Sequence, residues 1–407
     1  WEFGDSTTSS EPEPRITLTA EGNHLGAVRA RNSAGFSDPY YFTYRVGPLT
    51  SPTFLLTPVN GLPLTGTAST KVHEGRLMVA QVSGGQIHFS VSGTTPPYDQ
   101  SDWLSYPIAP CAAAGEPDLA IVGGRPAIAF NGPDSHLSYT RATTAVPLGL
   151  SDWQTHALSE VTAQHLPSLI ELNGTPAIAC RHVDFGQLVF ARSSSAAPSS
   201  TLDWTSHAVD STFAPQLAAL SAAVVADRVW IAYCEYQDAE GQMFVRYADA
   251  LVPIPTGAAS WHIGQLLSIG ANVGQVSIVD QGGQAVIGYG VTGGYNIDRI
   301  SMPGYVLTGL GPISVGGNAP HGGPESLAVV DGRLLAAIKN PNGTGLYLHR
   351  QAALDPNGSE DWQSARATTQ IGSGDTPSVA VHNGRISVTY RHVGDNTLRL
   401  TRALGFW

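Results

Sequence analysis

The sequence predicts an all-β fold of short antiparallel sheets repeated along the chain, and three observations predict it. Charged residues make up only 13% of the 407, against roughly 25% in an average soluble domain. That is too few to coat the wet faces of long helices. Gly (45) and Pro (28) recur throughout, and both punctuate turns. An Asp-Trp or Ser-Trp pair returns at Asp102-Trp103, Asp152-Trp153, Asp203-Trp204, Ser260-Trp261 and Asp361-Trp362. Recurrence at about 50 residues marks an internal repeat, and the last, doubled gap implies that one unit has lost its Trp.

Each unit opens with a hairpin. Clear copies span Pro117–Phe130, Pro167–Cys180, Glu325–Ile338 and Pro377–Tyr390, and weaker ones begin near Lys71, Leu220 and Val276. Asn173-Gly174, Asp331-Gly332 and Asn383-Gly384 lie between apolar runs, a strong hairpin signal because both turn residues must take positive φ. A third strand follows at Leu137–Arg141, Leu188–Arg192, Leu346–Arg350 and Leu398–Arg402. The Trp then opens a fourth, as in Trp153–Leu158.

Four short strands repeated radially form a blade of a β-propeller, an arrangement that protects sheet edges. Seven hairpin starts predict seven blades over residues 66–407. The last unit ends after three strands, so its outer strand must come from elsewhere. The segment 48–65 is the expected donor, with Thr53–Thr57 strand-like. N-terminal strand closure of this kind leaves no open edge.

Residues 1–47 differ. Trp1–Asp5 reads W-x-F-G-D; strand-like runs follow at Arg15–Thr19 and Tyr40–Val46, and Asn32–Gly35 reads N-x-x-G. This resembles the second half of a PKD-type immunoglobulin-like domain, a β-sandwich. The strands that precede the Trp in that family are absent. Half a sandwich cannot bury its inner face alone, so upstream sequence or a neighbouring chain is expected to supply them. The chain opens inside a motif, which places any targeting segment upstream.

The repeat itself resembles those of large secreted bacterial proteins, which are similar to the Asp-box (BNR) propellers of sialidases. The Trp and the strand before it are kept. The compact D-x-G turn of the Asp-box is replaced by longer loops at 141–153 and 192–204, and Asp355–Trp362 is its nearest remnant. The resemblance implies an extracellular or cell-surface location. It implies less about activity, because one propeller scaffold hosts many functions.

Several classes are excluded. A net charge of −11 offers no counter-charge for phosphates, so nucleic acid is not an expected partner. No run approaches ~18 apolar residues, so no membrane-inserting helix is expected. Cys111, Cys180 and Cys234 have no C-x-x-C spacing, which argues against zinc or iron–sulfur sites. They read as small buried residues rather than a disulfide pair. The Gly-rich stretch 309–323 has no G-K-[ST] and reads as long turns in blades five and six.

The repeated Trp is read as a wedge between blades, and the in-register Arg141, Arg192, Arg350 and Arg402 as structural. A functional site should break the repeat, so candidates lie in loops after the second strands: Arg181, His182 and Asp184; Glu235, Tyr236 and Asp238; Lys339 and Asn340; Arg391, His392 and Asp395. Arg offers a planar fork for carboxylates and His donates or accepts near neutral pH. Together they suit a polar pocket for a sugar or peptide; ordinary polar loop tips are the plain alternative. Glu235 and Tyr236 have the right types for glycosidic chemistry, but strand neighbours point to opposite faces. The F/Y-R-I-P element and three-Arg cluster of sialidases are not found. No resident cofactor is expected; Asp355, Asn357, Ser359 and Asp361 alternate oxygen donors and form a candidate Ca²⁺ set.

These readings lead to the expectation of a non-enzymatic extracellular propeller: a structural, adhesion or assembly subunit whose partners are other protein copies or surface glycans. A carbohydrate-binding lectin and a sialidase-like glycoside hydrolase are the alternatives. Two carboxyl groups within about 5–10 Å in the central cleft would revive the last.

Overall fold

The computed structural model describes residues 22–403 apart from 30, 33–34, 39, 47–53, 94–96, 98, 113–114, 135, 163–166, 183–185, 211–215, 238–241, 271–275, 292–293, 303, 315–325, 340–344, 353–360, 370, 372–376 and 383–384. The chain divides into two compact units, Trp1–Pro52 with Gly405–Trp407, and Thr53–Leu404. In the first, Gly22–Val28 pairs antiparallel with Tyr40–Val46, and Arg31–Asn32 with Gly35–Phe36. The motif Trp1–Asp5 and the run Arg15–Thr19 lie outside the described residues.

The second unit is the seven-bladed propeller. Blade one comprises Ala68–His73, Arg76–Ser83, Gln86–Ser92 and Trp103–Pro110. Blades two to six begin at Asp118, Ser168, Gln216, Val276 and Leu327, and each is a four-stranded meander in chain order. Blade seven takes three strands from Ser378–Ala403 and its outer strand from Phe54–Pro63, with Ala403 opposite Phe54. Closure by the leading strand is therefore as predicted. The hairpin turns also behave as expected: Asn173 and Gly174 take φ of 50° and 77°.

The wedge reading of Trp holds. Trp153 of blade two meets Phe89 of blade one edge-on at 4.9 Å, Trp204 meets Tyr139 at 5.2 Å, and Trp261 meets Phe190 at 5.2 Å. Edge-to-face pairs of this kind add to plain area burial. Blade five lacks the Trp, and Tyr305 replaces it against Tyr247 of blade four, donating to Asp249 at 2.9 Å. Arg141 donates to the Val122 carbonyl within its own blade.

One expectation fails here. The stretch 309–323 is not wholly turn, because Val306–Ser314 is the outer strand of blade five with Leu310 buried. The remainder lies outside the described residues.

A second tie runs around the innermost strands. In blades one to five the first hydroxyl or carboxylate of the hairpin accepts a backbone N–H from the next blade: Leu119 to Ser69, Leu169 to Asp118, Ala222 to Ser168, Ile278 to Ser221 and Leu327 to Ser277. Buried backbone donors need such partners. These first-strand side chains are thus the joints between neighbouring blades.

Candidate functional site

The connections after the second and fourth strands of each blade leave from the same face, since the strands alternate direction. At that face, blades three and four meet through four polar side chains. Asp210 ends the outer strand of blade three, Trp204–Asp210. Tyr233 and Glu235 stand on the second strand of blade four, Arg228–Gln237, and Arg246 on its third, Gln242–Ala250. Residues two apart on a strand share a face, so Tyr233 and Glu235 point together toward blade three, and Arg246 lies directly opposite Tyr233 in the ladder.

Arg246 holds both acids. Its Nη1 is 3.2 Å from Glu235 Oε2 and 3.8 Å from Asp210 Oδ2, which sets these two carboxylate oxygens at most about 7 Å apart. The Tyr233 hydroxyl donates to Asp210 Oδ2 at 2.9 Å. Burial, then the Asp210 carboxylate, push the Tyr233 phenol far above its ordinary range, so it stays a proton donor. The guanidinium also lies over the Phe244 ring at 5.4 Å, a cation–π contact that keeps it planar against the strand. Glu235 is only 1% exposed.

A β-bulge aims Asp210. Leu188 pairs with Asp210 and Val189 with Ala208, leaving Val209 extra. One added residue inverts the facing of the strand residues beyond it, and this turns Asp210 toward blade four.

The described candidates predicted from the sequence are spread over blades three, four, six and seven. Glu235 belongs to the cluster just described. Asp184 and Asp238 lie outside the described residues, as do Asn340, Asp355, Asn357 and Ser359, and nothing is described of the Tyr236 side chain. Arg181 and His182 are partly buried at the end of their strand in blade three. Lys339 is buried in blade six. In blade seven, three blades away around the ring, His392 and Arg399 both bind Asp395, at 2.9 and 2.6 Å. Burial pushes the Asp395 carboxyl up, but hydrogen bonds from Thr397, Arg399 and His392 outweigh it and hold it well below the usual range. That is a local turn clasp. The two Arg-His-Val loops share backbone bonding, since His182 N–H donates to Gln187 and His392 N–H to Thr397. Their likeness reflects a common turn. Among the described residues no cluster of metal-binding side chains occurs. Cys111, Cys180 and Cys234 are buried and outside any disulfide, and burial pushes the Cys180 and Cys234 thiols up to about 12.

Asp210, Tyr233 and Arg246 were not singled out from the sequence. A signal was available: Tyr233 and Glu235 are an i, i+2 pair, whereas Glu235 and Tyr236 are not. Asp210 needed the bulge, which the sequence does not announce.

No protein-family model matches the chain, and no curated protein matches it. Among solved structures, the polysaccharide lyase Uly1 superposes with a TM-score of 0.52 at 10% identity, covering 82% of this chain and 89% of that one. A mutant of AofleA from Arthrobotrys oligospora gives 0.45 at 9% identity, over 88% and 94%. A Trypanosoma rangeli sialidase gives 0.41 at 11% identity, over 95% of this chain and 59% of that one. The Uly1 match establishes the propeller fold. It also corrects two expectations: a non-enzymatic adhesion, structural or assembly subunit, and the absence of an enzymatic role. Uly1 itself is named a polysaccharide lyase, and in this chain Asp210, Tyr233, Glu235 and Arg246 do converge.

Proposed function

We propose that the chain is a carbohydrate-processing enzyme that cleaves glycosidic linkages of a polysaccharide, with Asp210 and Glu235 as its carboxylate pair. The observation that carries the reading is that both acids sit on one guanidinium nitrogen, at 3.8 and 3.2 Å. Cleavage of a glycosidic bond needs one carboxyl to handle the leaving oxygen's proton and another to act at the anomeric carbon or its water. Arg246 sets positive charge nearest Glu235, which suits the second task. A polysaccharide substrate fits a location outside the cell. The strand pair Gly22–Val28 and Tyr40–Val46 is consistent with a PKD-like spacer ahead of the propeller.

A panel of neutral and acidic polysaccharides, assayed for new reducing ends and for unsaturated ends, tests this. Cleavage lost in Glu235→Gln and Asp210→Asn, with circular dichroism unchanged, is the expected result. Binding without cleavage would favour a lectin and overturn the reading, as would cleavage that survives both substitutions.

A further inference from the structure

Two imidazoles join neighbouring blades through the same bond. The Trp204 indole N–H donates to His156 Nε2 at 3.1 Å, joining blades two and three. The Trp261 indole N–H donates to His207 Nε2 at 3.1 Å, joining blades three and four. Each His stands three positions after the Trp that opens its own strand. An indole N–H only donates, and a ring nitrogen accepts only while unprotonated. Protonation therefore sets donor against donor and breaks the bond.

The surroundings favour the neutral rings. Burial holds both imidazoles below their ordinary range. For His156 the Asp203 carboxylate pulls partly back up. The rings packed on His207 are those of Phe190 and Trp261, neither titratable, and the acid on its own strand is Asp210.

His207 and Asp210 share one strand, and the bulge at Val209 turns Asp210 to the side that His207 shows blade four. Three bonds then cross from this strand to blade four: His207 with Trp261, and Asp210 with Tyr233 and with Arg246. We infer that His207 is a positioning residue for the Asp210–Glu235 pair, and that its protonation unlatches blade three from blade four and misplaces Asp210. The part concerning Asp210 rests on the function proposed above; the latch does not.

His207→Gln keeps an oxygen that accepts the indole N–H but cannot titrate, whereas His207→Phe has no acceptor at any pH. The Trp261 indole N–H and His207 ring resonances are followed by NMR from neutral to acid pH in the full chain. The indole signal should move together with the His207 titration, stay fixed in His207→Gln, and sit at its acid position at neutral pH in His207→Phe. An indole signal indifferent to His207 overturns the latch. On whichever polysaccharide the panel shows to be cleaved, kcat should keep its value to lower pH in His207→Gln than in wild type, with KM little changed. An unaltered acid limb overturns the positioning role. Should Glu235→Gln and Asp210→Asn leave cleavage intact, the functional reading fails, while the NMR result still decides the latch.

Discussion

The Thr70 backbone N–H donates to Ser378 Oγ at 2.9 Å across 308 positions of sequence. The same Thr70 bonds Thr389 through its hydroxyl at 2.6 Å. These two bonds close the inner ring between blades one and seven, as Ser277 and Ser221 do between interior blades. Removing Ser378's hydroxyl strands a buried donor, which costs about 1–3 kcal/mol. Ser378→Ala is expected to lower urea stability by that amount, and Ser277→Ala by a similar one. If the closing joint proves silent while the interior joint does not, ring closure depends on the borrowed outer strand instead.

Gly264 stands where His156 and His207 stand in blades two and three, three positions after the Trp. A Cβ there would run into the Tyr247 ring, because Tyr247 fills the space between Trp230 and Tyr305. Gly264→Ala is expected to destabilise by about 1–3 kcal/mol through overpacking. Adding Tyr247→Leu should recover part of that loss, which thermal melts of the two variants will show.

His349 is buried in blade six, bonded to Ser364 at 2.7 Å, and burial pulls its imidazole down to about 4. The unfolded ring binds its proton near 6.5, so between these values the unfolded chain holds more protons and stability falls as pH falls. The contribution is whole above about 6.5 and lost by about 4, amounting to roughly 3 kcal/mol. His349→Gln should flatten the stability–pH curve in that window, measured by urea unfolding at a series of pH values.

Blade number, hairpin turns and strand closure were legible in the sequence because they rest on local signals: Asn-Gly pairs, alternation, and a Trp at a fixed place. Ser168 stood in plain view at the start of its hairpin, but its role was not legible, since its bond partner Ala222 lies a blade away. The site was less legible. Glu235 was found by its loop position. Asp210 and Arg246 come from other strands and were hidden among the repeat's ordinary polar residues. Arg391, His392 and Asp395 looked like a site because types associated with chemistry stood close in sequence, yet the bonds of His392 and Asp395 satisfy one turn.

Arg246 compensates two acids at once, and this separates the members of the cluster. Arg246→Met removes the cation and leaves Glu235 and Asp210 facing each other in a buried setting, where loss of one partner of a buried pair costs about 3–5 kcal/mol. Tyr233→Phe removes a single hydrogen bond to Asp210, worth about 1 kcal/mol. Glu235→Gln removes a charge but keeps an acceptor for the guanidinium, so its cost should fall between these two. The ordering Arg246→Met, Glu235→Gln, Tyr233→Phe in urea stability therefore reports how the four groups share charge. If Arg246→Met instead proves mild, the acids are being compensated elsewhere, and the triple variant Asp210→Asn, Glu235→Gln, Arg246→Met should then be no more stable than the single one.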